Sequence, residues 1–145
     1  MNIVVDASTA IKWFLAEQNT ADAEMLLGPE FELNAPEVLI SEFGEIVLKK
    51  LRNGDVQLGE AGALLDAIFH VGFTFHSNRP LLVPAVERAV ELGQAVNDCA
   101  YLSLAMDLDC PLVTADRKLF VTLQDTRFRS KVIWVENTVA LVRLS

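Results

Sequence analysis

Cysteine and histidine are scarce in this chain, two of each among 145 residues, which leaves no cluster of ligands for a softer metal. Cys99 and Cys110 form no CxxC pair and lie in apolar sequence, so buried, reduced thiols are expected. His70 and His76 stand apart from every other chemical signal and are expected to be structural. Long hydrophobic runs are missing too: the longest stretch without Asp, Glu, Lys or Arg is Ala67–Asn78, twelve residues, against about 18 or more for a membrane span. The opening Met1-Asn2-Ile3-Val4-Val5-Asp6 has no basic lead and soon meets an acid, unlike a secretory signal. A cytoplasmic location and no membrane contact are therefore expected. Positive charge is also in short supply. Twelve Lys and Arg against 20 Asp and Glu give a net charge of −8 and a pI near 4.7, which argues against a broad electrostatic grip on nucleic acid. Such a role needs local help, and two basic clusters exist: Lys49-Lys50-Arg52, and Arg117-Lys118 with Arg127, Arg129 and Lys131. Ordinary surface charge is the simpler account of each.

Apolar residues, by contrast, are abundant, 52% of the chain, with a mean hydropathy of +0.32. A chain this long forms one domain over 1–145 with a single core, and the apolar surplus suggests surface covered by a partner. Strand and helix patterns alternate along it. Strands are expected at Asn2–Val5, Phe31–Asn34, Phe73–His76, Leu112–Thr114 and Val132–Val135. Helices are expected at Ser8–Ala16 with Ser8 as cap, at Asp22–Leu27, from Pro36 to Arg52 closed by Asn53-Gly54, and at Gly59–Val71. Further ones run to Leu92 with Pro84 in the first turn, over Asn97–Leu108, and from Arg117 to about Leu123. Strands separated by helices imply an α/β fold with a parallel sheet flanked by helices.

Four acids stand out against this frame. Asp6 ends the run Ile3-Val4-Val5 just before a helical pattern, and Leu112-Val113-Thr114-Ala115-Asp116 repeats the arrangement far downstream. If the two strands are parallel neighbours, both carboxylates stand in the crevice at the carboxyl edge of the sheet, where open α/β folds place ligands. Each alone could equally be a helix cap. Glu42 lies between Val38, Leu39 and Ile46, on the apolar side of its helix, where a charge is costly without a partner. Glu45 has Lys49 four residues on and is expected to form a solvated ion pair. Asp98 sits in the opening turn of its helix, where the dipole alone favours an anion.

The blocks Val4-Val5-Asp6-Ala7-Ser8, Ile11-Lys12-Trp13-Phe14, Pro36-Glu37-Val38-Leu39 with Ser41-Glu42, Asn97-Asp98 with Tyr101-Leu102-Ser103-Leu104-Ala105, and Leu112 to Leu119 together resemble the PIN-domain ribonucleases, specifically the VapC toxins of toxin–antitoxin pairs. The resemblance runs from residue 2 to about 135. It implies a three-layer α/β/α sandwich around a parallel sheet, a Mg²⁺ or Mn²⁺ site made by Asp6, Glu42, Asp98 and Asp116, hydrolysis of RNA, and an orienting role for Ser8 and Thr114. It also implies a homodimer and an antitoxin partner. Asn97, Cys99 and Ser103 depart from the residues common at those places in the family.

The chemistry agrees. Phosphodiester hydrolysis needs an activated water and a positive centre for the charge developing on phosphate, and all-oxygen sites suit Mg²⁺ or Mn²⁺. At about 4 Å each pair of carboxylates repels by roughly 4 kcal/mol at an effective dielectric near 20, so four together require a cation. Asp6 and Asp98 are assigned as direct ligands, Asp116 and Glu42 as ligands through water or orienters of the nucleophile, and Thr114 as a hydrogen-bond partner of Asp6. An aspartyl-nucleophile phosphatase would want an acid where Ser8 stands. A receiver domain would need a paired acid in the first turn and a Lys ending the last strand. The remaining alternative is a PIN-like metal-binding or partner-binding module without nuclease activity.

Overall fold

Ile3, Val4 and Val5 carry β1 (Asn2–Val5) through the centre of a five-stranded sheet in the computed structural model, which describes residues 1–144. Ser145, the last residue of the expected 1–145 domain, lies outside the described residues. The other strands are β2 (Glu32–Pro36), β3 (Thr74–His76), β4 (Leu112–Thr114) and β5 (Val132–Trp134). Their spatial order is β3-β2-β1-β4-β5, and all four pairings are parallel. The chain therefore leaves β1 toward one side and returns for β4 on the other, so the switch point of the sheet falls between β1 and β4. Val5 pairs with Val113 there, which brings the ends of the two acid-tipped strands side by side.

Helices cover both faces: α1 (Ala7–Ala10), α2 (Thr20–Glu24), α3 (Val38–Arg52), α4 (Leu58–Ala67), α5 (Leu82–Leu92), α6 (Val96–Leu108), α7 (Arg117–Gln124) and α8 (Thr138–Leu144). Side chains alternate along a strand, and the core follows that alternation. Val4 and Leu112 pack with Leu39 and Phe43 of α3 and with Leu102 and Ala105 of α6. Ile3, Val5 and Val113 turn to the opposite face, against Ala23 of α2 and Leu141 of α8. This is the expected three-layer α/β/α arrangement. α6 buries seven consecutive residues, Cys99–Ala105, as a helix sandwiched between the sheet and further helices must. Both cysteines are buried and free, and among the described residues no helix is long and apolar enough to cross a membrane.

The element boundaries differ from expectation where local hydrogen bonding decides them. The helix expected over Ser8–Ala16 is a single α-turn followed by a 3₁₀ turn, Ile11–Trp13, and its cap is Asp6 rather than Ser8. Pro36 ends β2 instead of opening α3; its missing N–H is harmless at the last residue of a strand, and α3 starts at Val38, whose N–H donates to Asn78 Oδ1 at 3.2 Å. α8 was not anticipated. It is short, and Thr138 Oγ1 secures its start by donating to the Val135 carbonyl at 2.7 Å. Gly54, at positive φ (79°), follows the end of α3 as expected, and Gly93 (64°) ends α5 in the same way.

Phe43 is fully buried and meets Phe14 edge-on at 5.7 Å. Phe43→Ala is expected to lower stability by about 3–5 kcal/mol through lost burial and the cavity left behind. Urea unfolding followed by circular dichroism checks this; a shift of the midpoint worth less than about 1 kcal/mol would show that α3 is not anchored here.

Candidate active site

Asp6 is set by the strand-to-helix turn it caps. Its Oδ1 accepts from Ser8 Oγ at 2.8 Å, from Thr9 N at 3.0 Å and from Thr9 Oγ1 at 2.9 Å, while its Oδ2 accepts from Thr114 Oγ1. Ala115 N donates to Ser8 Oγ at 3.2 Å, and Asp116 N to Thr114 Oγ1 at 3.0 Å. Ser8 and Thr114 thus join the ends of β1 and β4 through one carboxylate. Asp116 caps α7, accepting from Leu119 N at 3.2 Å.

Above this junction lies a crevice of about 330 Å³ whose walls include Asp6, Ser8, Glu42, Asn97, Asp98 and Asp116. All four acids singled out by sequence therefore reach one place, from the end of β1, the second turn of α3, the first turn of α6 and the cap of α7. Three further residues belong to it. Thr9 completes the cage around Asp6, Tyr101 and Glu45 line the wall, and none of them carries a sequence signal beyond its motif or helix face. Glu45 does not pair with Lys49 as expected: among the described residues the ion pair of this helix joins Lys50 to Glu17. A second crevice of similar size, about 340 Å³, opens at the opposite edge of the sheet between Leu27, Pro29 and Gly72. Glu32 is its only titratable side chain, so it offers no comparable chemistry.

The electrostatics of the acidic crevice follow from burial and from like charge. Asp6 is 5% exposed, and desolvation raises its carboxyl above the ordinary range against the opposing pull of its hydrogen bonds from Thr114, Ser8 and Thr9. Burial also raises Glu42, helped by the charges of Asp6 and Asp116 and opposed by the polar side chains of Tyr101 and Asn97. Asp98 is pushed up to about 6, first by burial and then by Asp116, Glu42 and Asp6, with Lys118 opposing. The Tyr101 hydroxyl is buried beside Glu42 yet completes no hydrogen bond of good geometry. Among the described residues no three or more acid, His or Cys side chains converge closely enough to hold a metal ion between them. The acids line an open crevice instead, a donor set that suits a hard divalent ion retaining several waters, as Mg²⁺ does.

The chain belongs to the PIN domain family, whose profile matches residues 3–124. It is 30% identical over 121 residues to a protein of Pyrobaculum aerophilum named Ribonuclease VapC3, covering 82% of this chain and 92% of that one. Ribonuclease VapC1 of Mycobacterium tuberculosis is 29% identical over 118 residues, covering 80% and 86%. Among solved structures, a Pyrobaculum aerophilum protein superposes with a TM-score of 0.69 at 24% identity over the full length of both chains. VapBC-1 of nontypeable Haemophilus influenzae gives 0.58 at 16% identity, over 92% and 96%.

Because folding raises the Asp98 value from 3.8 to about 6, the folded state binds this proton more tightly than the unfolded chain. The resulting stabilisation is present in full below pH 3.8 and is lost as pH rises through about 6. Asp98→Asn is therefore expected to melt higher than the wild type at pH 7.5 without metal, with the difference shrinking at pH 5 and with a much smaller gain on adding Mg²⁺. Were Asp98 only a favourable charge at a helix N-terminus, its loss would cost about 0.3–1 kcal/mol and leave the Mg²⁺ response intact. Thermal melts of both proteins at the two pH values decide between these.

Proposed function

We propose that residues 1–145 form a single-domain, metal-dependent endoribonuclease that hydrolyses RNA phosphodiester bonds as the toxin of a toxin–antitoxin pair in the cytoplasm. The observation that carries this reading is the buried Asp6 carboxylate at the β1/β4 switch point, with Glu42, Asp98 and Asp116 facing the same crevice. Membership of the PIN domain family and likeness to proteins named ribonuclease support it.

Asp6 and Asp98 would hold a Mg²⁺ or Mn²⁺ ion directly, and Asp116 and Glu42 would act through water. When bound, the ion supplies positive charge to the scissile phosphate and favours ionisation of the attacking water. Ser8, Thr9 and Thr114 fix the Asp6 carboxylate so that it needs no reorganisation. Glu42, whose affinity for a proton is raised by burial, accepts the proton of the attacking water, with the buried Tyr101 hydroxyl beside it. Asp116 orients that water from the α7 side. Among the described residues the two histidines are remote from the crevice lining, so the carboxylates carry the acid–base chemistry.

One surface feature and one comparison bear on partners. Leu82, Val83, Val86 and Val90 leave α5 with an exposed apolar face, as a chain that assembles with itself would have. Solved relatives include a toxin–antitoxin complex from Klebsiella pneumoniae, with a TM-score of 0.56 at 14% identity. The apolar face fits a homodimer, and the comparison fits restraint by a cognate antitoxin. Light scattering is expected to give twice the 16.0 kDa monomer mass; a strict monomer at micromolar concentration removes the dimer.

Asp6→Asn tests the mechanism without disturbing the fold. The amide oxygen can take the place of Oδ1 among its three donors, and the Thr114 hydroxyl can turn to accept from the amide nitrogen. RNA cleavage should fall by at least about 10²-fold, the scale for losing a key electrostatic group, with an unchanged circular dichroism spectrum. EDTA should abolish wild-type cleavage. Full activity of the variant, or cleavage indifferent to EDTA, would refute the metal-dependent reading.

A further inference from the structure

The basic cluster on α3 finds a place once the groove beside the acidic crevice is followed. That groove, about 350 Å³, shares the wall of Ser8 and Ile46 with the crevice and is lined by Lys12, Lys49 and Lys50. Glu17 lies across it. One of its carboxylate oxygens is 3.9 Å from Lys12 Nζ and the other 3.4 Å from Lys50 Nζ. The backbone holds this arrangement: Lys12 Nζ donates to the Gln18 carbonyl at 2.7 Å, Glu17 N donates to Thr20 Oγ1 at 2.8 Å, and Thr20 Oγ1 donates to the Glu17 carbonyl at 2.9 Å. The three charged side chains are 11%, 22% and 24% exposed for Lys12, Lys50 and Glu17, so the cluster is partly desolvated and already positioned. Two lysines on one carboxylate leave a positive charge uncompensated, and Lys49 adds another against Asp55 in the same lining.

We propose that this groove is a phosphodiester subsite, in which the RNA phosphate next to the scissile one displaces Glu17 and takes its place between Lys12 and Lys50. The inference rests on the ribonuclease reading above. A phosphodiester carries the same single negative charge as Glu17 and likewise offers two oxygens, so the exchange leaves the charge of the groove unchanged and uses lysines whose side chains are already ordered. A protein of net charge −8 cannot hold RNA by its average field; a local pair of lysines at the edge of the catalytic crevice supplies the hold where the reaction needs it. Glu17 then acts as an internal competitor that keeps the lysines in position while RNA is absent.

Fluorescence anisotropy with a short, labelled single-stranded RNA of mixed sequence, in EDTA to prevent cleavage, tests this directly. Glu17→Gln removes the competitor and should tighten binding by about 3- to 10-fold, whereas Lys50→Gln should weaken it by a similar factor and Lys50→Arg should restore it, the scale expected for partly exposed ion pairs. Lys50→Gln should also reduce the salt slope of log K by about 0.7, one single-strand phosphate contact. If Glu17→Gln merely melts lower and binds RNA no tighter, Glu17 is a strut between its loop and α3 and the proposal fails. It fails equally if Lys50→Gln binds as well as the wild type. The two levels separate cleanly: a wild type that cleaves RNA with Mg²⁺ or Mn²⁺ while these variants bind alike overturns the subsite alone, and a wild type that cleaves no RNA with either ion overturns the ribonuclease reading.

Discussion

A carboxylate that is 5% exposed can persist only if the fold surrounds it with donors, and the arrangement around Asp6 does so with groups drawn from both central strands. Ser8 and Thr9 come from the turn after β1, and Thr114 from the end of β4. An unmatched charge at this depth would cost several kcal/mol. The β1–β4 register, the cap of α1 and the second cap at Asp116 are therefore parts of one hydrogen-bond network. Moving β4 by a single residue would turn Thr114 to the other face of the sheet and leave Asp6 Oδ2 without its donor.

Capping, one of the two explanations that the sequence leaves open for Asp6 and Asp116, holds for both, and both capping carboxylates also line the crevice. Asp6 and Asp116 both accept from backbone N–H groups of the helices they begin. Those bonds fix each carboxylate at a helix N-terminus, where the dipole favours negative charge. The helix ends thus moderate the cost of gathering acids. They do not remove it, since Asp98 is still held near 6 and Glu42 is raised by Asp6 and Asp116. The mutual opposition of the acids in this crevice is what a bound cation would relieve.

Much of this was legible in the chain because strands ending in acids are short, local signals. Ile3-Val4-Val5-Asp6 and Leu112 to Asp116 name two strand ends, and parallel topology brings them together. Helix periodicity placed Glu42 on the inner side of α3. What remained hidden depends on three-dimensional neighbours. Thr9 and Tyr101 look like an ordinary small polar residue and a core aromatic until the hydroxyls are seen beside Asp6 and Glu42. The expected Glu45–Lys49 pair does not form: Glu45 lines the crevice and Lys49 the adjoining groove, while Lys50 pairs with Glu17, a residue from a loop that no helical spacing rule includes. The first helix was read too long because Ile11 and Trp13 remain apolar and core-facing even though the backbone tightens to a 3₁₀ turn there.

The same loop gives an acidic protein a locally basic groove. Charge here is sorted by distance rather than by face. The carboxylates that would hold a cation and the lysines of the adjoining groove share the wall formed by Ser8 and Ile46, so a phosphate chain crossing that wall meets attraction on both sides of it once the crevice holds its ion. Without the ion, the crevice repels phosphate and Glu17 screens the lysines. Since the Debye length is about 8 Å at physiological salt, the remaining negative charge of the molecule hardly reaches the groove, and the sign of the field there is set by the few residues that line it.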